Sequence, residues 1–310
     1  MNARASLTRA LFSACAGLAF GAAACGDPLK SVSLIEETRV LGARVEVDSD
    51  PTRSSPNPGE SARLRLFLAA PAGEPNVAFG LSVCAVSLTN SGFPRCSGAP
   101  FASRVESEAT ATVPELEFQV PSSLDLASTP HAFASALLCP ESSLSTDANG
   151  VAICSDGPGR QVAFEFELGG EGRSNLNPAF GPDALTLDGA PWLEPDATQI
   201  ACPGDLPKVT AKTTHEIGLS LSDSDFEALL QRNEVEPARE AVLVSEFVTR
   251  GKLKHAFLSL RADSAPESGR QSWNAPPLLD EAPVLARFYF VVRDGRGGED
   301  FTTRALCVVP

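Results

Sequence analysis

"LGARVEVD", residues 41–48, places Leu41, Ala43, Val45 and Val47 on one side of an extended chain and Arg44 and Glu46 on the other. Alternation with a period of two is what a strand with one dry and one wet face requires. The pattern returns in Leu64, Leu66 and Leu68 against Arg63 and Arg65, and in Leu116, Phe118 and Val120 against Glu115, Glu117 and Gln119. It appears again in Val162, Phe164, Phe166 and Leu168 against Glu165 and Glu167. Val77–Leu88 and His131–Cys139 are more evenly apolar, which predicts strands nearer the centre of a sandwich. Short strands set between Pro, Gly and Ser clusters, such as Asp48–Gly59, predict an all-β fold of antiparallel sandwiches.

The stretch "LGGEGRSNLNPAFGPD", residues 168–183, holds four glycines and two prolines, too many for regular structure. It predicts a linker over 171–182 between a first sandwich at 39–170 and a second at 183–310. In the second, strands are expected at Ala241–Thr249, Leu253–Arg261 and Val284–Val292. Asp294-Gly295 and Gly297-Gly298 can take the positive φ of a tight reversal and return the chain into Phe301–Val309. Ser224 and Glu227 have capping-box spacing ahead of Phe226, Leu229 and Leu230, which predicts a short helix over Asp225–Arg232.

Residues 1–24 read as an export signal: Arg4 and Arg9, then an apolar run Ala10–Ala24, then small residues. The run is shorter than the roughly 20 residues that span a bilayer. Ala22-Ala23-Ala24 suits a secretory peptidase, and Ala23-Ala24-Cys25 resembles the end of a bacterial lipobox. Cysteine parity separates the two readings. Of eight cysteines, Cys15 leaves with the signal; lipidation of Cys25 then leaves six, Cys84, Cys96, Cys139, Cys154, Cys202 and Cys307, which can pair completely. Residues 25–38 become a tether. Cys84/Cys96 and Cys139/Cys154 each enclose a Pro- or Gly-containing loop, and Cys202/Cys307 lie near opposite ends of the second sandwich, so sequential pairing is preferred among the connectivities open to six cysteines.

The stretches "RVLGARVEVD", "PNPGESARLRL", "AVLVSEFVTRGKL", "WNAPP" and "RFYFVVRDGRGGEDFTTRALCVV" together resemble bacterial lipoproteins built from two immunoglobulin-like or PKD-like modules. The resemblance implies two tandem β-sandwiches and a surface location. It implies no catalytic residues. Glu246 and Phe247 depart from it, standing where the pattern has a buried aromatic pair. Gly26 and Asp27 follow the cysteine that lipidation would modify, and a lipid-anchored place in the cell envelope is expected, the outer membrane rather than the inner.

A formal charge of −14 opposes nucleic-acid binding and disfavours peripheral binding to anionic lipid. Gly-x-Ser-x-Gly and Cys-x-x-Cys are absent, and His131, His215 and His255 lie in separate segments without ligand spacing. No enzyme, metal or cofactor is expected. The acidic turns Asp48/Asp50, Asp223/Asp225 and Asp294/Glu299/Asp300 suit turn chemistry, with calcium as the rival reading. Trp192, Trp273 and Tyr289 are the large amphipathic rings a sugar platform would need, although Phe dominates the aromatics as in a core. The function expected is non-catalytic: structural, adhesive or protein-interacting, with an envelope protein or glycan as partner. The alternative is a carbohydrate- or calcium-binding accessory module of a surface polysaccharide or enzyme system.

Overall fold

The computed structural model describes residues 31–88, 94–147, 151–170, 174–195, 201–202, 204–229, 238–263, 269–278 and 282–310. The expected signal, Cys25 and the start of the tether lie outside the described residues. Two antiparallel β-sandwiches follow.

In the first, β1 (Arg39–Val47), β2 (Ser61–Ala69) and β6 (Glu115–Gln119) form one sheet in the order β1-β2-β6. Facing it are β10 (Arg160–Glu167), β7 (His131–Pro140), β3 (Val77–Leu88) and β4 (Pro94–Cys96), with β5 (Ala102–Ala111) also pairing with β3. The chain changes sheet between β2 and β3, between β5 and β6, and again between β6 and β7. That is the A-B-E against G-F-C arrangement of immunoglobulin-like sandwiches. The alternating residues read from the sequence make the core: Ala43, Val45, Leu64, Leu66, Leu116, Phe118 and Phe166 are buried against Phe79, Leu81, Val83 and Leu138. A small hairpin, β8 (Leu144–Thr146) and β9 (Ala152–Cys154), lies beside them.

In the second, one sheet runs β12-β11-β14-β20-β18, from β11 (Leu185–Leu187), β12 (Ala190–Pro191), β14 (Thr214–Leu219), β18 (Lys252–Leu253) and β20 (Arg270–Asn274). The other runs β13-β22-β21-β17-β19, from β13 (Lys208–Thr210), β17 (Val242–Val248), β19 (Phe257–Leu260), β21 (Val284–Arg293) and β22 (Glu299–Val309). Within it β13 pairs with β22 in parallel. Phe288 centres the core, edge-on to Trp192 and Trp273 with ring centroids 4.9 and 5.1 Å away. The "RDGRGG" reversal forms as expected, with Gly295 at φ 82° and Gly297 at φ 104°.

Two sequence expectations need correction. The helix expected over Asp225–Arg232 is absent from its described residues. Asp223–Asp225 make one 3-10 turn, and Ala228–Leu229 (β15) pair with Ala238–Arg239 (β16). The capping box forms two residues early, because Asp225 reaches back to the Ser222 amide at 2.8 Å. Glu227 is drawn instead into a tertiary ion pair with Arg296 at 2.5 Å. Likewise Leu253–Arg261 is not one strand: Lys252–Leu253 pair with β20 in one sheet, and Phe257–Leu260 pair with β17 in the other.

The two sandwiches pack side-on within one compact unit, Val32–Pro310. Seven successive residues of β21 are buried. Ala286, Phe288, Phe290 and Val292 enter their own core, while Tyr289 and Val291 on the reverse face meet Ile35, Leu41, Phe67 and Ala69 of the first sandwich and its approach. Burial on both faces is why this strand reads as a continuous apolar run.

Candidate functional site

The chemistry-bearing side chains converge on the joint between the sandwiches. Segment 168–183 supplies two of them. Asn175 is fully buried, donating from Nδ2 to Ser54 Oγ at 2.8 Å and to Asp294 Oδ2 at 2.7 Å. Asn177 donates to the Val45 carbonyl at 2.8 Å and accepts from the Glu299 amide at 3.1 Å. Both amides therefore fasten the segment to β1, the β1–β2 loop and the β21–β22 turn at once.

The turn itself is built around Asp294, whose Oδ1 accepts from the amides of Arg296 at 2.7 Å and Gly298 at 3.0 Å. Burial raises its carboxyl above the ordinary range, against the lowering effect of those amides, Asn175 and Arg296. Glu299 accepts from the Ala43 amide at 2.8 Å and from Arg293 Nε at 2.8 Å. Burial pushes it up to about 7, with Arg293 and the Ala43 amide opposing. Arg293 also donates to the Leu41 carbonyl, and Arg44 spans the boundary to Asp300 at 2.7 Å. Gly42 is glycine because a Cβ there would lie 2.2 Å from Glu299 Oε2; at Gly297 it would lie 2.4 Å from Phe166 Cβ.

Glu227, Glu240 and Asp294 bring one carboxylate oxygen each within 4.8 Å of one another, a spacing that would suit a cation. The cation present is Arg296. Its guanidinium lies 2.5 Å from Glu227 Oε2 and 2.9 Å from Glu240 Oε2, and it also reaches Glu167 of the first sandwich at 3.8 Å. Glu240 is raised by burial, with Arg296 opposing. The other acidic turns are likewise engaged. Asp50 binds the Thr52 amide and hydroxyl, Asp225 accepts from Ser222 and Ala179, and Asp300 accepts from Phe180 and Arg44. The carboxylates of Asp50, Asp225, Asp294 and Asp300 are thus engaged by arginines, hydroxyls, the Asn175 amide and backbone amides.

The cysteines pair sequentially: Cys84–Cys96, Cys139–Cys154 and Cys202–Cys307, with Cα separations of 5.4, 5.4 and 5.5 Å. Cys25 lies outside the described residues. Trp192, Trp273 and Tyr289 are all buried. Trp192 donates to the Ala305 carbonyl, Trp273 to Arg250 and Tyr289 to Ala70, so none offers a face to a sugar. The joint leaves a cavity of about 100 Å³ walled by Phe67, Gly73, Tyr289, Phe301 and Arg65.

Of the histidines, His131 lies near Glu165 at 3.5 Å, and the amide of His255 binds Gln271. His215 has partners that its sequence neighbourhood did not reveal. Its Nδ1 meets Asp188 Oδ2 at 2.7 Å and its Nε2 meets Thr213 Oγ1 at 2.6 Å, the connectivity of an acid–base–hydroxyl relay. The Thr213 hydroxyl also lies 2.5 Å from the Thr210 carbonyl, and one proton cannot serve both. The chain of contacts ties the Asp188-Gly189 turn to the turn before β14. A sheet pairing, Asp188 against the β14 backbone through Glu216, creates it, and nothing in the local pattern could have signalled it.

The chain matches no protein-family model and no curated protein. Among solved structures it is similar to Salmonella alpha-2-macroglobulin reacted with methylamine, at 12% identity and TM-score 0.23, over 91% of this chain and 16% of that one. It is similar to red sea bream transglutaminase at 10% identity and TM-score 0.23, over 88% of this chain and 32% of that one. The fibronectin(III)-like modules of Clostridium thermocellum CbhA align at 12% identity and TM-score 0.21, over 86% of this chain and 93% of theirs.

Proposed function

We propose that this chain is a lipid-anchored cell-envelope protein with a non-catalytic structural, adhesive or protein-interaction role, held at the outer membrane through acyl groups on Cys25. The observation that carries the reading is the joint. Half-buried ion pairs, two buried asparagines and a shared apolar cluster lock the sandwiches in one orientation, which suits a part that presents its surface loops at fixed spacing. Three disulfides suit an oxidising compartment outside the cytosol. The leader and Cys25 supply the means of export and attachment.

Mass spectrometry of the native protein tests the anchor: a mature chain beginning at acylated Cys25 is expected, and a retained leader or an unmodified Cys25 refutes it. Pull-down from envelope extract with the delipidated ectodomain tests the role. One stoichiometric envelope protein is the expected result; turnover of a substrate by the purified protein would overturn the non-catalytic reading.

A further inference from the structure

The first sandwich leaves the edge of β10 open. Along a strand the N–H and C=O of one residue point to one side and those of the next to the other, and β10 pairs on one side only, with β7. The Leu168 amide donates to the Pro130 carbonyl on the β7 side at 2.8 Å, whereas the Glu167 amide donates the opposite way, to the Arg296 carbonyl at 3.0 Å. The odd-numbered residues of β10 therefore turn their backbone groups to the open edge. Gln161, Ala163 and Glu165 are exposed, and among the described residues nothing pairs with their amides or carbonyls.

Two other edges of this sandwich are blocked. On β1 the outer groups are taken by the second sandwich and its approach: the Leu41 carbonyl by Arg293, the Ala43 amide by Glu299 and the Val45 carbonyl by Asn177. β5 carries Arg104, Glu106 and Glu108 and slips register with β3 between Val77 and Phe79, charge and irregularity both being devices that keep an edge from pairing. On β10 the clear stretch is bounded at one end by the ion pair of Arg160 with Glu37 and at the other by Arg296 on the Glu167 amide. It runs over 161–165, with Ala163 at its middle. Val162 and Phe164 beneath it are half-buried, beside a cavity of about 220 Å³ walled by Ala43, Val45, Leu64, Phe164 and Phe166.

We propose that β10 is a self-association edge: two copies of the chain pair their β10 strands antiparallel about a two-fold axis at Ala163, joining two five-stranded sheets into one. The clear stretch is self-complementary in that register. Gln161 meets Glu165 of the partner copy, amide to carboxylate, so the one charge in the stretch avoids its own image; within the chain His131 lies 3.5 Å from the same carboxylate. Val162 meets Phe164 of the partner copy, a β-branched residue against an aromatic one. An axis at Phe164 instead would set Gln161 against Glu167, whose amide Arg296 already holds. An edge over 161–165 is about 17 Å long, so the contact belongs to the small, reversible class. The pairing is independent of the anchor at Cys25.

The test uses the mature chain carrying C25S, with light scattering across the micromolar to millimolar range. A dimer that dissociates on dilution is expected. A163P removes a backbone donor on the open edge and none from the β7 pairing, so it should keep a cooperative melting transition while weakening the dimer about tenfold or more. Q161E should weaken the dimer and Q161K tighten it, each several-fold, because position 161 lies against Glu165 of the partner copy. A163C should form an intermolecular disulfide across the axis, where the paired Cα atoms lie about 5.5 Å apart. V105C, whose site on β5 is 69% exposed, should not. A monomer throughout the range, a dimer indifferent to A163P and to both charges at 161, or equal crosslinking of A163C and V105C overturns the proposal. So does a monomer whose capture of an envelope protein is lost in A163P, which would give the edge to a foreign strand.

Discussion

Glu246 offers the sharpest test of the packing. It stands on the core-facing side of β17 with Val242, Val244 and Val248, wholly buried, and its one side-chain partner is the Gln271 amide at 2.7 Å. Its Oε1 has no partner among the described residues. Burial, which the Gln271 hydrogen bond only partly offsets, pushes the carboxyl from 4.5 up to about 7. The folded chain therefore holds a proton that the unfolded chain releases, and stability must fall as pH rises from about 4.5 to about 7, then level off. The span corresponds to about 3 kcal/mol. E246Q copies the protonated form at all pH values. At pH 5 it should lie within about 1 kcal/mol of the parent, and at pH 8 it should be more stable by about 3 kcal/mol, or about 6–12 °C in Tm for a chain of this size. Urea titrations of both proteins at pH 5 and 8 measure this directly. Glu299, raised to the same range, adds a slope of the same sign to both proteins and cancels from their difference. Parallel pH dependences for parent and E246Q would refute the assignment of a dry, nearly unpartnered carboxyl to the core.

The joint yields two further expectations and the disulfides a third. N175A removes both Nδ2 donations and leaves the buried Asp294 short of a donor; urea titration should show a loss of about 2 kcal/mol, and a change under about 0.5 kcal/mol would count against the network. G297A should be destabilised well beyond G295A. Both glycines have positive φ, but a Cβ at 297 would lie 2.4 Å from Phe166 whereas at 295 it meets nothing within 4 Å, so calorimetry should separate them and equal losses would refute side-on packing. Removing the Cys202–Cys307 bridge, which closes 105 residues, should cost about 4–5 kcal/mol against about 3 kcal/mol for Cys84–Cys96 across 12, the ranking being read from melting of C202S/C307S and C84S/C96S.

Much of the fold was legible because strands declare themselves locally. The alternations at Ala43–Val47, Leu64–Leu68, Leu116–Val120 and Val162–Leu168 reappear as β1, β2, β6 and β10 with their apolar residues turned inward. Leu41 does not share the face of Ala43 and Val45: a register shift between Val40 and Gly42 turns it out against Tyr289 and Val291 of the second sandwich. At Glu246 the sequence showed only a departure from the buried aromatic pair of the resemblance; the structure puts the carboxylate itself in the core, on the face of Val244 and Val248. The failures have a common cause. Phe226, Leu229 and Leu230 looked helical over a short window, but the partners that Ala228–Leu229 and Glu227 find, Ala238–Arg239 and Arg296, lie outside that window, Arg296 by 69 residues. The Asp188–His215–Thr213 chain was invisible for the same reason, since strand pairing alone brings Asp188 to β14.

At the joint, Glu227, Glu240, Glu299 and Asp300 meet Arg296, Arg293 and Arg44 where two sandwiches abut. These half-buried pairs are weak sources of net stability, and the cost of breaking one singly is largest where the carboxylate left behind is itself buried, as at Glu240 and Glu299. They therefore discriminate among orientations more than they strengthen any one of them. An apolar interface could slide; one in which Glu299 must meet both the Ala43 amide and Arg293, and Asn175 both Ser54 and Asp294, cannot. The apolar cluster of Tyr289, Val291, Leu41 and Phe67 supplies adhesion and the polar ring supplies register. Fixed spacing between the two sandwiches' loops then follows from side chains carried on the stretch that, by its glycines and prolines, looked the most flexible in the chain.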